Sequence, residues 1–202
     1  MVDHSTVTRE KILETARRCF ALGGFHATGV EQIAREAGVS KGALYWHFKG
    51  KQEIYRAILE VEAETIRKAF DPGQEGSWPK DPVAFIIRRG ERRFETFLAE
   101  RESLLLWANI WIEAKRGQEE IRALYKEMTE AIFLQLKALF VRAFTRFDEK
   151  VDGKRVDEIL ESLGVAFDGL VLQLGVNLDV ARAKHLWRYT VKRIIEGGES
   201  YV

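Results

Sequence analysis

Cysteine and long apolar runs are scarce in this sequence of 202 residues. The single cysteine, Cys19, cannot form an internal disulfide, and the first thirty residues carry charges throughout, so nothing indicates secretion. The apolar run from Leu104 to Ala108 ends at Asn109, whereas a membrane span needs roughly 18 uninterrupted apolar residues. These absences predict a cytoplasmic protein without a transmembrane helix.

Proline is confined to one stretch of the chain. All three prolines lie within residues 71–82, and the rest of the sequence is free of proline. Because proline interrupts the interior of a helix, this distribution predicts long helices on both sides of one connection. Hydrophobic residues make up 46% of the chain and charged residues 31%, which is typical of a folded globular protein.

The short motifs of common enzymes and metal sites are also missing. The sequence contains four histidines and no HExxH or CxxC motif, no glycine-rich phosphate loop after a strand and no nucleophile elbow. Cys19 falls on an apolar helix face without an evident base beside it, and we interpret it as a small core residue. We therefore predict no catalytic residue, no metal site and no cofactor, and the chain is not expected to be an enzyme.

A hydrophobic period of 3.6 residues recurs along nearly the whole chain and predicts an all-α fold of about nine helices. The first helix is expected to end at Gly23-Gly24, and Thr28 and Glu31 have the spacing of a capping box that would begin the second helix. Residues 148–154 read as a polar loop, and the helix over 102–115 is apolar nearly all round, which predicts a central position. The other predicted helices run from Lys41 to Phe48 after a Ser40 cap, from near Gln52 to about Phe70, from Asp81-Pro82 onward, from Glu119 to Phe147, from Val156 to Val176 and from Val180 to Glu196.

Two short helices joined by a glycine-containing turn have the layout of a helix-turn-helix. On a helical wheel of the second one, Leu44 and Phe48 face inward, whereas Gly42 and Trp46 face outward beside Tyr45. Aromatic side chains on the solvent side of such a short helix indicate a surface that contacts a partner. The alternative is that Tyr45 and Trp46 pack under the following long helix as ordinary core.

The charge distribution also points to a partner for this segment. Residues 1–52 hold eight Lys and Arg against five Asp and Glu, whereas the remainder of the chain is slightly acidic. This asymmetry has the sign expected of a segment that meets a polyanion. Gly42 would let the backbone approach a base edge, and Lys41 and Lys51 can neutralise phosphates.

Three stretches carry a family resemblance: TREKILETA over 8–16, GFHAT over 24–28 and VEQIAREAGVSKGALYWHFKGK over 30–51. Together they closely resemble the DNA-binding domain of the TetR (tetracycline-repressor) family of bacterial regulators. The resemblance implies a DNA-binding domain over 1–52 and an effector-binding and dimerisation domain over 53–202. It also implies a homodimer whose paired recognition helices enter successive major grooves of a palindromic operator.

The resemblance assigns roles to individual residues of the helix-turn-helix. Trp46 stands where the family often has tyrosine, and its indole can stack or donate a hydrogen bond but cannot supply a hydroxyl. Lys41 and Gly42 are the residues implied to approach bases. The residues implied to contact phosphates are Thr28, Ser40, Tyr45, His47 and Lys51.

For the remainder of the chain, the resemblance implies a pocket for a small inducer and a four-helix bundle formed by the last two helices of each protomer. The predicted helix over 156–176 is apolar on two faces, so it needs one partner inside its own subunit and one outside. The alternative is that both faces belong to the intrachain core. The residues predicted for the dimer interface are Val165, Leu172, Val176, Leu186, Trp187, Thr190 and Ile194.

The predicted effector pocket combines aromatic side chains with one adaptable methionine and two amides. Asn109 and Gln173 lie within apolar faces and would need hydrogen-bond partners if they are buried. An apolar lining of this kind favours a hydrophobic effector such as a fatty acyl group or a planar aromatic compound. The predicted effector-binding residues are Phe94, Phe97, Trp107, Asn109, Trp111, Tyr125, Met128, Phe167 and Gln173.

These observations together predict a ligand-responsive transcription regulator, specifically a repressor that leaves its operator when the effector binds. Its expected partners are double-stranded operator DNA, a second copy of the chain and a small hydrophobic effector, with no membrane. The alternative is a helical adaptor that uses its exposed aromatic residues to bind another protein. Salt-sensitive binding to duplex DNA would separate the two, because neutralising several phosphates makes affinity fall steeply with salt.

Overall fold

A computed structural model describes residues 4–69, 81–117, 119–145 and 153–196. Over these ranges the chain forms nine helices and no β-strand, which confirms the predicted all-α fold. In none of the helices are length and apolar character together sufficient to cross a bilayer, within the residues described. The helices are α1 (His4–Ala27), α2 (Val30–Glu36), α3 (Lys41–His47), α4 (Lys51–Ala69), α5 (Pro82–Ala99), α6 (Arg101–Lys115), α7 (Glu119–Thr145), α8 (Gly153–Gln173) and α9 (Val180–Glu196).

The end of α1 follows the glycine pair that the sequence marks as its stop. Gly24 has φ 72° and breaks the helical geometry, while the chain makes one further turn to Ala27. A left-handed φ is strained for residues with a Cβ atom, so glycine suits this break. Cys19 is buried on the same helix, where its thiol donates to Glu36 Oε2 at 3.3 Å, and burial raises its pKa to about 11. The interpretation of Cys19 as a core residue is confirmed.

The two short helices begin differently from one another. The capping box predicted for α2 is wrong: the helix starts after Gly29, which supplies no side-chain cap. The hydroxyl of Thr28 is buried and donates instead to the carbonyls of Gly24 (2.8 Å) and Cys19 (3.1 Å). For α3, the predicted cap is confirmed, because Ser40 Oγ accepts a hydrogen bond from the backbone N–H of Ala43 at 3.0 Å.

The later helices agree with their predicted bounds except at α8. α5 begins at Pro82, and Asp81 Oδ1 accepts from the N–H of Ala84 at 2.9 Å. α8 runs from Gly153 to Gln173 instead of from 156 to 176, because the chain turns at Gly175, where φ is 76°. The predicted proline-rich connection lies almost wholly outside the described residues, as does most of the predicted loop over 148–154.

The chain divides into two compact units. The first comprises Met1–Glu64 and Glu100–Thr129, and in its described part α6 packs against α1. The buried face of α6 is mixed, because Ser103 and Glu113 are buried alongside Leu106 and Ile110. The domain boundary predicted after residue 52 divides the chain by expected function. The compact unit instead groups the helix-turn-helix with α6. The functional boundary stays a prediction.

The second unit comprises Thr65–Ala99 and Glu130–Val202, and an aromatic cluster holds its described helices α5, α8 and α9 together. Phe94 stacks on Phe167 with ring centroids 4.9 Å apart, and the indole of Trp187 meets Phe167 edge-on at 5.3 Å. A Cβ atom at Gly90 would overlap this indole, so glycine allows the close approach of α5 and α9. Predicted for the dimer interface, Trp187 is instead 3% exposed within its own chain, and this part of the prediction is corrected.

Candidate DNA-binding surface

The recognition helix α3 is seated by apolar side chains on its inner face. Leu44 and the following Phe48 are buried, as the helical wheel predicts, and they lie in one core with Ile33 of α2. The turn between α2 and α3 passes through Gly38, where φ is 63°. The helix-turn-helix geometry thus leaves the opposite face of α3 to the solvent.

The outward face of α3 carries two large exposed aromatic side chains. Trp46 is 73% exposed and Tyr45 is 45% exposed, with Gly42 also open to solvent. His47 is half-buried and meets the Trp46 ring edge-on, with centroids 4.6 Å apart. The alternative in which Tyr45 and Trp46 pack under α4 as core is therefore wrong.

Lys41 at the start of α3 is held by an acidic neighbour. Its ammonium lies 2.6 Å from Glu31 Oε1 of α2 and 5.9 Å from the centroid of the Tyr45 ring. The hydrogen bond with Glu31 raises the pKa of Lys41, and the same contact lowers the pKa of Glu31. A base or phosphate that takes this ammonium must therefore compete with Glu31, a partner that sequence periodicity does not reveal.

Lys51 points back toward the end of α1. Its Nζ donates to the carbonyl of Phe25 at 2.8 Å and to that of His26 at 3.3 Å, and it lies over the Phe25 ring. Burial lowers the pKa of Lys51. The ammonium satisfies carbonyls at the end of α1, where the helix leaves acceptors unpaired.

The predicted phosphate contacts thus fall into two groups. Ser40, Tyr45 and His47 lie with Trp46 on or beside the exposed side of α3, while Thr28 and Lys51 direct their polar atoms at the backbone of α1. The hydroxyl of Thr28 is buried and bonded to α1, so in this arrangement it is closed to a phosphate. The assignment of these residues to DNA stays a prediction.

Five predicted effector residues belong to the first unit, and most of them have polar partners. The indole of Trp111 donates to the Tyr125 hydroxyl at 2.7 Å, and Met128 is buried. Asn109 donates from Nδ2 to the carbonyl of Ala21 in α1 at 2.8 Å. The amide of Asn109 therefore has a backbone partner without an effector. Four predicted effector residues, Phe94, Phe97, Phe167 and Gln173, belong to the second unit.

Gln173 differs from its expected setting. It is exposed at the end of α8, where its Oε1 accepts from Asn177 Nδ2 at 2.5 Å, so its amide is solvated and does not need an effector as partner. Phe97 is buried beneath the guanidinium of Arg93, 4.4 Å from the ring centroid. The role of these residues in effector binding stays a prediction.

The residues predicted for the dimer interface lie on α8, α9 and the turn between them. Val165 and Val176 are 75% and 78% exposed, and Leu172 is also exposed, so the alternative that they are intrachain core is wrong. Leu186, Thr190 and Ile194 are half-buried. Burial raises the pKa of Asp168, in the same helix as Val165, to about 6, and no described residue donates a hydrogen bond to its carboxylate.

Polar residues that the sequence did not single out tie α1 to α6. Glu113 is buried and lies 3.0 Å from His26 Nε2 and 3.3 Å from Arg116. Near the start of α6, Arg17 of α1 donates to Ser103 Oγ at 2.7 Å. Glu113 and Arg116 are neighbours on one helix, but His26 and Glu113 are 87 residues apart and Arg17 and Ser103 are 86 apart, so no local pattern could have found the contacts between α1 and α6.

The helix-turn-helix segment matches a known family. Residues 12–58 match the sequence profile described as bacterial regulatory proteins of the tetR family. The chain is 40% identical over 81 residues to the HTH-type transcriptional regulator SrpR of Pseudomonas putida, covering 39% of this chain and 38% of SrpR. It is 52% identical over 125 residues to LmrA of Bacillus subtilis, another HTH-type transcriptional regulator, covering 59% of this chain and 66% of LmrA. The chain thus spans 38% to 66% of the length of these two relatives.

Solved structures extend the similarity to the whole fold. Salmonella enterica GusR superposes with a TM-score of 0.79 at 21% identity, covering 96% of this chain and 98% of that one. The fatty acid degradation regulator FadR of Bacillus halodurans superposes with a TM-score of 0.71 at 15% identity, covering 96% and 97%. With its helix-turn-helix, its relatives and this shared fold, the chain belongs to the TetR family of bacterial regulatory proteins.

Proposed function

We propose that this protein is a transcription regulator that binds a palindromic operator as a homodimer and is released by a hydrophobic small molecule. The observation that carries the proposal is the outward face of α3. Trp46 and Tyr45 are exposed there beside Gly42, on a helix whose other side is fixed in the core. Exposed aromatic rings and a small residue on a seated recognition helix suit contacts with base edges and phosphates in a major groove.

The solvent face of α8 supports the dimer. Val165 and Leu172 are exposed on α8 about two helical turns apart, and Val176 is exposed in the turn that follows the helix. Gly169 lies between Val165 and Leu172 and would permit a close approach of a second helix. An exposed apolar stripe of this kind is well suited to the same stripe of a second copy, because a twofold interface pairs identical surfaces.

The aromatic residues of the later helices support a hydrophobic effector. Phe94 and Phe167 are stacked, and Trp111 and Tyr125 share a hydrogen bond that a planar ligand could replace. Aromatic side chains of this kind suit a fatty acyl group or a planar aromatic compound. Release would follow if the effector favours a conformation in which the two α3 helices no longer match successive grooves.

The test is selection of bound duplexes from a random pool, followed by titration of the winning duplex at increasing salt. A palindrome bound with an affinity that falls steeply with salt is the expected result. Failure to enrich any sequence, although the protein is a folded dimer, would contradict the proposal and favour a protein-binding adaptor.

A further inference from the structure

A buried polar cluster joins three helices of the first unit. We call Arg17 of α1, Glu62 of α4, and Ser103 and Trp107 of α6 the junction cluster. Glu62 is 4% exposed and Ser103 is buried, while Arg17 and Trp107 are half-buried, so the cluster extends from the interior of the unit toward its surface. None of its members belongs to α3, and the proposed DNA contacts do not use them.

Glu62 accepts from both neighbouring helices at once. Arg17 Nε donates to Glu62 Oε1 at 2.9 Å, and Trp107 Nε1 approaches Glu62 Oε2 at 3.3 Å. A second guanidinium nitrogen of Arg17 donates to Ser103 Oγ at 2.7 Å, and Ser103 in turn donates to Glu100 Oε2 at 2.8 Å. One carboxylate of α4 therefore fixes α1 and α6 relative to each other through directional bonds.

The physical value of such a cluster lies in orientation. Desolvation of a buried ion pair offsets most of its attraction, so an apolar cluster of the same volume would hold the helices together about as well. Apolar contacts tolerate sliding and rotation, however, whereas a guanidinium that bonds a carboxylate and a hydroxyl together accepts few geometries. The cluster therefore specifies one arrangement of α1, α4 and α6.

The helices that the junction cluster orients are also the helices that contact or adjoin α3. α1 packs against both α2 and α3, and α4 begins at Lys51, shortly after the buried Phe48 that ends α3. α6 continues directly from α5 in the chain, since only Glu100 separates them. The junction cluster thus holds α1, and with it the helix-turn-helix, in one orientation relative to α4 and α6 of the first unit.

We infer that Glu62 is a positioning residue that sets the half-site spacing the dimer accepts, an inference that rests on the proposed operator binding. Each added base pair rotates one half-site by about 35° relative to the other, so a firmly oriented pair of α3 helices matches one spacing. A loosely oriented pair accepts several. The base preference within a half-site depends on α3 alone and is independent of Glu62.

The experiment uses the selected palindrome and four derivatives in which the centre is shortened or lengthened by one or two base pairs. Wild type should bind the selected spacing at least about tenfold more tightly than the one-base-pair derivatives, the cost of one mismatched contact. Glu62→Gln keeps the side-chain shape and removes the charge that orients Arg17. In this variant we expect the differences among spacings to shrink to about threefold, with half-site base preference unchanged.

A second variant and a control make the result specific. Trp107→Phe removes only the indole donor and should flatten the spacing profile to a smaller degree, and it carries the test if Glu62→Gln does not fold. Glu127→Gln is the control. It breaks an exposed ion pair between Glu127 of α7 and Arg56, which lies in the same helix as Glu62, and it should leave the preference for half-site spacing as in wild type. Light scattering and thermal unfolding verify that each variant is a folded dimer.

The outcomes separate this inference from the proposed function. If folded Glu62→Gln and Trp107→Phe keep the sharp spacing preference of wild type, or if wild type itself has no such preference, the role of Glu62 is overturned. If wild type binds no palindromic duplex at all, operator binding by this chain is contradicted. A flattened profile with intact base preference supports the inference.

Discussion

Different interactions stabilise the interior of each of the two compact units. In the first unit, buried carboxylates have basic partners: Glu62 pairs with Arg17, and Glu113 lies beside Arg116 and the imidazole of His26. In the second unit, rings pack on rings around Trp187, and the partly buried Asp168 has no donor among the described residues.

Both units contain ring contacts and ion pairs, since Phe20 and Phe25 pack against Tyr55 in the first unit and Arg188 pairs with Glu91 in the second. The difference is that the first unit buries its carboxylates in directional bonds, whereas the ion pairs of the second unit lie nearer its surface. Substitutions in the two units should therefore change stability by different amounts.

The largest expected effect breaks the aromatic packing of the second unit. Trp187→Ala removes a buried indole and should lower the free energy of unfolding by about 3–5 kcal/mol. Trp46→Ala is the matched control, because this tryptophan is exposed and its loss should change stability by no more than about 0.5 kcal/mol. Urea denaturation at fixed protomer concentration measures both variants. Equal losses would show that the indole of Trp187 is not the centre of the core.

The same exposed tryptophan should matter for binding. Trp46→Ala is expected to weaken operator binding by about ten- to a hundredfold, the cost of one lost contact to a base or its backbone. Leu22→Ala removes an exposed apolar side chain from α1 and should leave affinity unchanged. Fluorescence anisotropy with the selected duplex measures both. Unaltered affinity of Trp46→Ala would remove this residue from the DNA-binding surface.

Loss of a paired carboxylate should weaken the first unit. Glu113→Gln removes the buried negative charge that His26 and Arg116 contact. We expect the free energy of unfolding to fall by about 1–3 kcal/mol. Glu127→Gln, at an exposed ion pair, serves as the control and should cost less than about 0.5 kcal/mol. A stabilised Glu113→Gln protein would mean that desolvation of this carboxylate outweighs its pairing.

Replacement of Asp168, whose carboxylate has no donor among the described residues, should raise the free energy of unfolding instead of lowering it. The pKa of Asp168 is raised to about 6, above its value in the unfolded chain, so the folded protein retains this proton between about pH 4 and 6. Folding stability therefore decreases as pH rises through this window. Asp168→Asn should remove that decrease and stabilise the protein at pH 7 by about 1–2 kcal/mol. The prediction fails if urea denaturation at pH 4 and pH 7 gives the same pH dependence for both proteins.

Local pattern was sufficient for most of the fold. Helix bounds followed from the apolar period and from Ser40 and Asp81, because caps and periodicity act within a few residues. The exposed face of α3 followed from the same geometry. Gln173 was expected within an apolar helix face, whereas it is exposed as the last residue of α8.

Contacts between distant segments could not be predicted in the same way. Thr28 has the spacing of a cap, yet its hydroxyl bonds with carbonyls of α1, and Trp187 has the position of an interface residue, yet Gly90 gives it space in the core. The partners of Glu62 lie 45 residues away in the chain on either side. The hydrophobic period of a helix predicts which of its faces is buried, but it does not predict which residues of other helices contact that face.

The alkylation rate of Cys19, the one cysteine of the sequence, can measure how often α1 opens in the native protein. Thiolate is the form of cysteine that reacts with alkylating agents, and Cys19 is both buried and, with its pKa raised to about 11, almost wholly protonated at neutral pH. A reagent such as iodoacetamide must therefore wait until α1 separates from its neighbours. The rate of labelling then reports how often this part of the native protein opens, and operator DNA bound to α3 should slow it.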